Sequence, residues 1–101
     1  KNFDLRGSSN YGLHLILKIK NIELFKKILN FLDKKFIEYR LGSLGNQIRQ
    51  PYLKRLKQSN SFKSLKNTEH MHFFSVYIGN HQFLEQAKIV DLCKGLNKLS
   101  K

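Results

Sequence analysis

The chain predicts an α+β two-layer sandwich, with a small, about three-stranded, mainly antiparallel sheet and helices on one face. Two observations carry this expectation. Apolar residues alternate or run together over strand lengths in three short segments, and in two longer segments they recur at three- and four-residue spacing. Read in order, the segments give strand, helix, strand, loop, short helix, strand, helix.

The opening residues Lys1 to Asn10 contain Gly7, Ser8 and Ser9 and show no apolar period, which predicts a flexible linker remnant. From Tyr11 onward Leu13, Leu15, Leu17 and Ile19 alternate with His14, Ile16, Lys18 and Lys20, the pattern of a strand with one buried face. Asn21 is placed to cap a helix and Glu23 sits in its first turn, where the helix dipole favours a negative charge. Phe25, Ile28, Leu29, Leu32 and Phe36 form the apolar stripe of that helix, and Lys26, Lys27, Lys34 and Lys35 its solvated side. Ile37, Tyr39 and Leu41 then alternate with Glu38 and Arg40, so a second strand buries the first set and turns Arg40 to the opposite face.

Gly42, Gly45, Asn46 and Pro51 end the periodicity and mark an ordered turn or extended loop. Lys54 to Lys66 is basic and without period, the composition of a mobile loop. Asn67 or Thr68 is expected to cap a short helix through Met71, and Phe73 to Ile78 reads as a third strand ending at Gly79-Asn80. A last amphipathic helix places Leu84, Ala87, Ile89, Val90, Leu92, Cys93, Leu96 and Leu99 in one broad stripe, with Cys93 expected to be a small buried hydrophobe. With helices on one side, the other sheet face stays uncovered unless another domain or subunit packs on it.

At 101 residues the chain has the size of one domain. No apolar run approaches the roughly 20 residues of a membrane-spanning helix. Cys93 is the single cysteine, which excludes an internal disulfide and a cysteine cluster for zinc, and fits a reducing cytoplasm. His70 and His72 would share one face of a strand, but no third ligand is adjacent; helix-end capping and strand packing account for them better than a metal. The chain opens at Lys1 without a start methionine or an apolar leader, which suggests a piece of a longer protein. The net charge of +12 invites a nucleic-acid reading. Charge alone is a weak argument for it, because backbone tracking needs basic residues gathered on one face.

Tyr39-Arg40-Leu41-Gly42-Ser43-Leu44-Gly45-Asn46-Gln47-Ile48-Arg49-Gln50-Pro51-Tyr52 resembles the Thr-Arg, six-residue gap, Gly-Asn-x-x-Arg-Gln-Pro stretch of the DegT-type sugar aminotransferase and dehydratase family, nearest to the nucleotide-sugar 3-dehydratases. Flanking pieces agree in order: Tyr11-Gly12 leads a strand, and Asn67-Thr68-Glu69 leads through Val76-Tyr77-Ile78-Gly79 to a final helix. Ile78 stands where the family usually has proline and Ser75 where it has glycine.

The resemblance implies that residues 11 to 101 are the carboxy-terminal small domain of an enzyme with the aspartate aminotransferase fold. That enzyme would be a cytoplasmic homodimer acting on a nucleotide-sugar with pyridoxal or pyridoxamine phosphate. A missing amino-terminal large domain would hold the cofactor and the lysine or histidine facing it, so this chain would contain no cofactor-binding or catalytic residue and would be inactive alone. The resemblance makes Arg40, Gly45, Asn46 and Arg49 the candidate substrate-binding residues. Arginine forks suit pyrophosphate, asparagine suits a sugar hydroxyl, and glycine permits close backbone approach. Each also has a structural reading: Arg40 paired with Glu38, Arg49 holding the loop, Asn46 forming a turn.

Overall fold

A computed structural model describes residues 6, 11–41, 45–55 and 65–100. The expected linker over Lys1 to Asn10 lies outside the described residues save Arg6, as do residues 42–44 of the motif loop and 56–64 of the basic stretch.

The architecture is the expected α+β sandwich. Strand β1 (Gly12–Ile16) is followed by helix α1 (Ile22–Lys34), strand β2 (Tyr39–Leu41), two 3₁₀ turns (Gln47–Arg49 and Pro51–Arg55), helix α2 (Lys66–Phe74), strand β3 (Ser75–Gly79) and helix α3 (Gln86–Leu99). The strands form one sheet in the order β1-β3-β2, and β3 is antiparallel to both neighbours. The two outer strands therefore run parallel, joined through α1 with the last strand slotted between them, a split β-α-β arrangement.

Register fixes the two faces. Leu15 lies opposite Val76 and Tyr39 opposite Ile78, so these four share one face, which packs against the helices. Leu32 of α1, Val76 and Ile78 of β3 and Leu92 of α3 are the buried centre, with Phe25, Ile28, Leu29 and Leu96 packed around it. His14, Tyr77 and Arg40 form a cross-strand row on the opposite face, away from the core cluster. Ring contacts join Tyr77 to His14 at 5.6 Å and to Tyr11 at 6.2 Å.

Helix α1 starts as expected, with the Asn21 side chain accepting the Leu24 amide at 2.9 Å. Its end differs. Phe36 leaves the apolar stripe, 96% exposed and at a positive φ of 55°. Its amide donates to the Asp33 carbonyl and the Ile37 amide to the Leu32 carbonyl, both at 3.0 Å, while Ile37 packs back on the core. These are the paired bonds and the hydrophobic contact of a Schellman cap, which needs a left-handed residue where the sequence supplies a phenylalanine.

Helix α2 begins at Lys66 with Leu65 at its cap, so Asn67 and Thr68 lie inside the first turn and do not cap it. It also runs past Met71 to Phe74, and the strand starts two residues later than expected. Two packing contacts hold the added turn: Phe74 meets Phe25 edge-on at 6.1 Å, and the Ser75 hydroxyl donates back to the Met71 carbonyl at 2.5 Å. His70 and His72 are thus helical and two residues apart, so they do not share a face as strand neighbours would.

The broad stripe expected on α3 narrows. Leu92 is buried and Gly95, Leu96 and Leu99 half-buried, whereas Leu84, Ala87, Ile89, Val90 and Cys93 are exposed. Cys93 is therefore not a core residue: it lies one position, about 100°, round the helix from Leu92, the side chain that reaches the core. The narrowing follows from how α1 meets α3. The Phe31 ring occupies the space beside Gly95, where a Cβ would lie 2.2 Å from its tip. Among the described residues no helix is long and apolar enough to cross a membrane.

Candidate functional site

The motif residues separate into two environments. The turn Gln47–Arg49 is capped by Asn46, whose side-chain oxygen accepts the Ile48 amide at 3.2 Å. Asn46 is 1% exposed; its carbonyl accepts the Arg49 amide at 3.0 Å, and its two N–H groups are engaged by α2. The side-chain amide donates to Glu69 Oε2 at 2.9 Å and the backbone amide to His72 Nδ1 at 3.1 Å. A histidine accepting at Nδ1 carries its proton on Nε2.

Arg49 completes this latch. Its Nε donates to both Glu69 oxygens, at 2.8 and 3.0 Å, and a terminal nitrogen donates to Oε1 as well. The guanidinium also lies 4.8 Å from the centre of the Phe73 ring, a cation–π placement. Hydrogen bonding from Arg49 holds the Glu69 carboxyl down at about 2 from an ordinary 4.5, against the upward pull of burial, and Asn46 assists. The same hydrogen bond raises the Arg49 guanidinium. Gly45 precedes this latch and is half-buried.

Arg40 stands apart. It projects from the open face of β2 opposite Tyr77 and pairs with Glu38 at 2.9 Å, both side chains well exposed. It lines a cavity of about 530 Å³ at the end of the sheet, together with Tyr11, Tyr77, Asn80, His81 and Lys88. That volume lies within the range of small-ligand sites, roughly 300 to 1,000 Å³.

The structure thus brings Asn46 and Arg49 together through Glu69 and sets Arg40 at a different wall. Glu69, His72 and Phe73 complete the latch but carry no signal of it in the sequence, because their partners lie 20 to 26 residues away. Glu69 was legible only as part of the flanking resemblance. Tyr11, which also lines the cavity, reads in sequence as the lead-in to a strand.

The remaining histidine of α2 has a structural role: His70 Nε2 lies 2.5 Å from the Leu17 carbonyl, and its ring stacks on Phe74. Among the described residues no three His, Cys, Asp or Glu side chains come together as a metal site. Comparison with protein-family models, curated proteins and solved structures finds no match for this chain.

Proposed function

We propose that this chain is the carboxy-terminal small domain of a cytoplasmic enzyme that uses pyridoxal or pyridoxamine phosphate to remove or replace a hydroxyl on a nucleotide-linked sugar, in the synthesis of surface polysaccharide. The observation that carries this reading is the division of labour within the motif. Asn46 and Arg49 lock the Gly-Asn loop onto α2, and Arg40 is left at the wall of a ligand-sized cavity. An arginine in an exposed pair with Glu38 gives up that partner at small cost, since such pairs are worth about 0 to 1 kcal/mol. Its fork then suits a phosphate, two oxygens at a time.

In this reading Arg40 contacts the substrate, while Asn46 and Arg49 fasten the loop that follows β2, with Gly45 preceding Asn46, to α2. The sheet face bearing His14, Tyr77 and Arg40 is the surface on which the large domain would sit, forming the active-site cleft between them. The cofactor, bound by that large domain in a homodimeric parent, supplies an electron sink for the bond-breaking step. This chain contributes charge and closure against water.

The competing reading, a small basic module for nucleic acid, rests on the net charge of +12. It gains little from the open face, where Arg40 is the one Lys or Arg among the described strand residues.

Two measurements test the proposal. The roughly 300 residues upstream, the usual extent of such a large domain, should contain the cofactor-facing lysine or histidine; an upstream sequence with neither overturns it. In the full-length enzyme, Arg40→Lys should lower nucleotide-sugar kcat/KM roughly 10- to 150-fold with cofactor content unchanged, the loss of a charged two-pronged contact. Unchanged efficiency would remove Arg40 from the substrate site.

A further inference from the structure

We infer that the cavity at the end of the sheet is a binding site for a phosphorylated ring compound, with Lys88 of α3 as a second phosphate-gripping cation beside Arg40 and the Tyr11–Tyr77 pair as the platform for the ring. This deepens the enzyme-domain reading, with which it shares Arg40; Lys88, Tyr11 and Tyr77 come from the cavity alone.

The argument begins with how each cation is held. Arg49 has its fork filled by a partly buried carboxylate and stacks on Phe73, so it belongs to the fold. Arg40 and Lys88 also meet carboxylates, Glu38 at 2.9 Å and Glu85 at 3.3 Å, but all four side chains are about two-thirds or more exposed. Such pairs are weak and salt-screened, so a doubly charged phosphate exchanges readily with the carboxylates. The two cations come from different elements, β2 and α3, and line one cavity.

Glu38, Asn80 and His81 also line the cavity, and the remaining side chains of the wall are aromatic and aliphatic. Tyr11 is 83% exposed although its ring lies 6.2 Å from that of Tyr77, so the pair presents an apolar surface with polar hydroxyl tips. Tyr39, Leu84 and Leu92 continue the lining. A free phosphate would use the cations and leave this surface in water. A sugar or nucleobase attached to the phosphate covers it, because either has a flat or apolar face that packs on a tyrosine ring.

The test uses the 101-residue chain in an NMR titration with four probes: uridine diphosphate, glucose 1-phosphate, inorganic pyrophosphate and uridine. Saturable shifts confined to Tyr11, Arg40, Tyr77 and Lys88 are expected with the phosphorylated ring compounds, weaker ones with pyrophosphate or uridine. Tighter binding of uridine diphosphate identifies a base on the tyrosines, and tighter binding of glucose 1-phosphate a sugar. Lys88→Gln and Tyr11→Leu, both at exposed positions, should each weaken binding about tenfold, the effect of losing one charged hydrogen bond or one stacking contact. Lys94→Gln, exposed elsewhere on α3, should leave it unchanged.

Absence of saturable shifts, or equal weakening by Lys94→Gln, overturns the site. An oligouridylate that binds more tightly than uridine diphosphate and shifts lysines throughout the chain also overturns it, in favour of a diffuse nucleic-acid surface. The upstream sequence separates this outcome from that of the enzyme reading. Binding at the cavity with neither cofactor-facing residue upstream keeps the site and removes the enzyme, whereas a cofactor domain upstream with no binding here does the reverse.

Discussion

Glu69 receives the Nε of Arg49 through both of its carboxylate oxygens, at 2.8 and 3.0 Å, and so ties the first turn of α2 to the 3₁₀ turn after the Gly-Asn pair. Its folded-state value of about 2 lies below the ordinary 4.5, so the folded chain binds this proton less readily than the unfolded one. The stability contributed is therefore fully present above about pH 4.5, declines as pH falls and is gone below about 2. Glu69→Gln, which imitates the protonated acid, should lower the thermal midpoint at pH 7 and do so progressively less between pH 5 and 2. A midpoint difference that stays constant over that range would mean the carboxylate charge is not what holds the loop.

Phe36 offers a gain in stability. Its φ of 55° is costly for a residue with a Cβ, and its side chain is 96% exposed, so little packing is lost on removing it. Phe36→Gly should stabilise the chain by about 0.5 to 1 kcal/mol, relief of left-handed strain exceeding glycine's extra chain entropy. Chemical denaturation reads this directly, and a lower midpoint would show that the ring contributes packing that outweighs the strain.

Gly95 behaves in the opposite way to an ordinary helical glycine. Alanine normally improves a helix interior by about 1 kcal/mol. Here the added Cβ would lie 2.2 Å from the tip of the Phe31 ring, and overpacking costs roughly 1 to 3 kcal/mol. Gly95→Ala should therefore lower the denaturation midpoint, and the double variant with Phe31→Leu should recover part of the loss. A stabilised single variant would show that the ring swings away freely.

Leu32 is fully buried at the meeting of α1, β3 and α3, whereas Leu29 is half-buried at its margin. Leu32→Ala should cost about 2 to 5 kcal/mol, the range for a core leucine, and Leu29→Ala clearly less. Equal losses in thermal or urea unfolding would place the centre of the core elsewhere.

Alternation placed Leu15 on the packed face of β1, and the Asn21 cap with the three-and-four spacing from Phe25 to Leu32 defined α1 and its inward face, because these depend on neighbours within a turn or a pleat. The strand itself ends at Ile16, short of Leu17 and Ile19, and Leu13 is exposed. The Arg40 side of β2 and the one-sided sandwich followed from the same local periods. Other features depended on distant partners. The slotting of β3 between β1 and β2, the exposure of Cys93, the extension of α2 to Phe74 and the left-handed turn at Phe36 each answer to residues that arrive from elsewhere in the chain. The motif divides along the same line. Arg40, Asn46 and Arg49 look equally fit for a ligand in sequence, and the three-dimensional position of Glu69 is what takes Asn46 and Arg49 into the fold and leaves Arg40 at the cavity. A side chain's residue type determines which bonds it can make, whereas the partner that reaches it first, in a chain folded to bury its apolar faces, decides which one it does make.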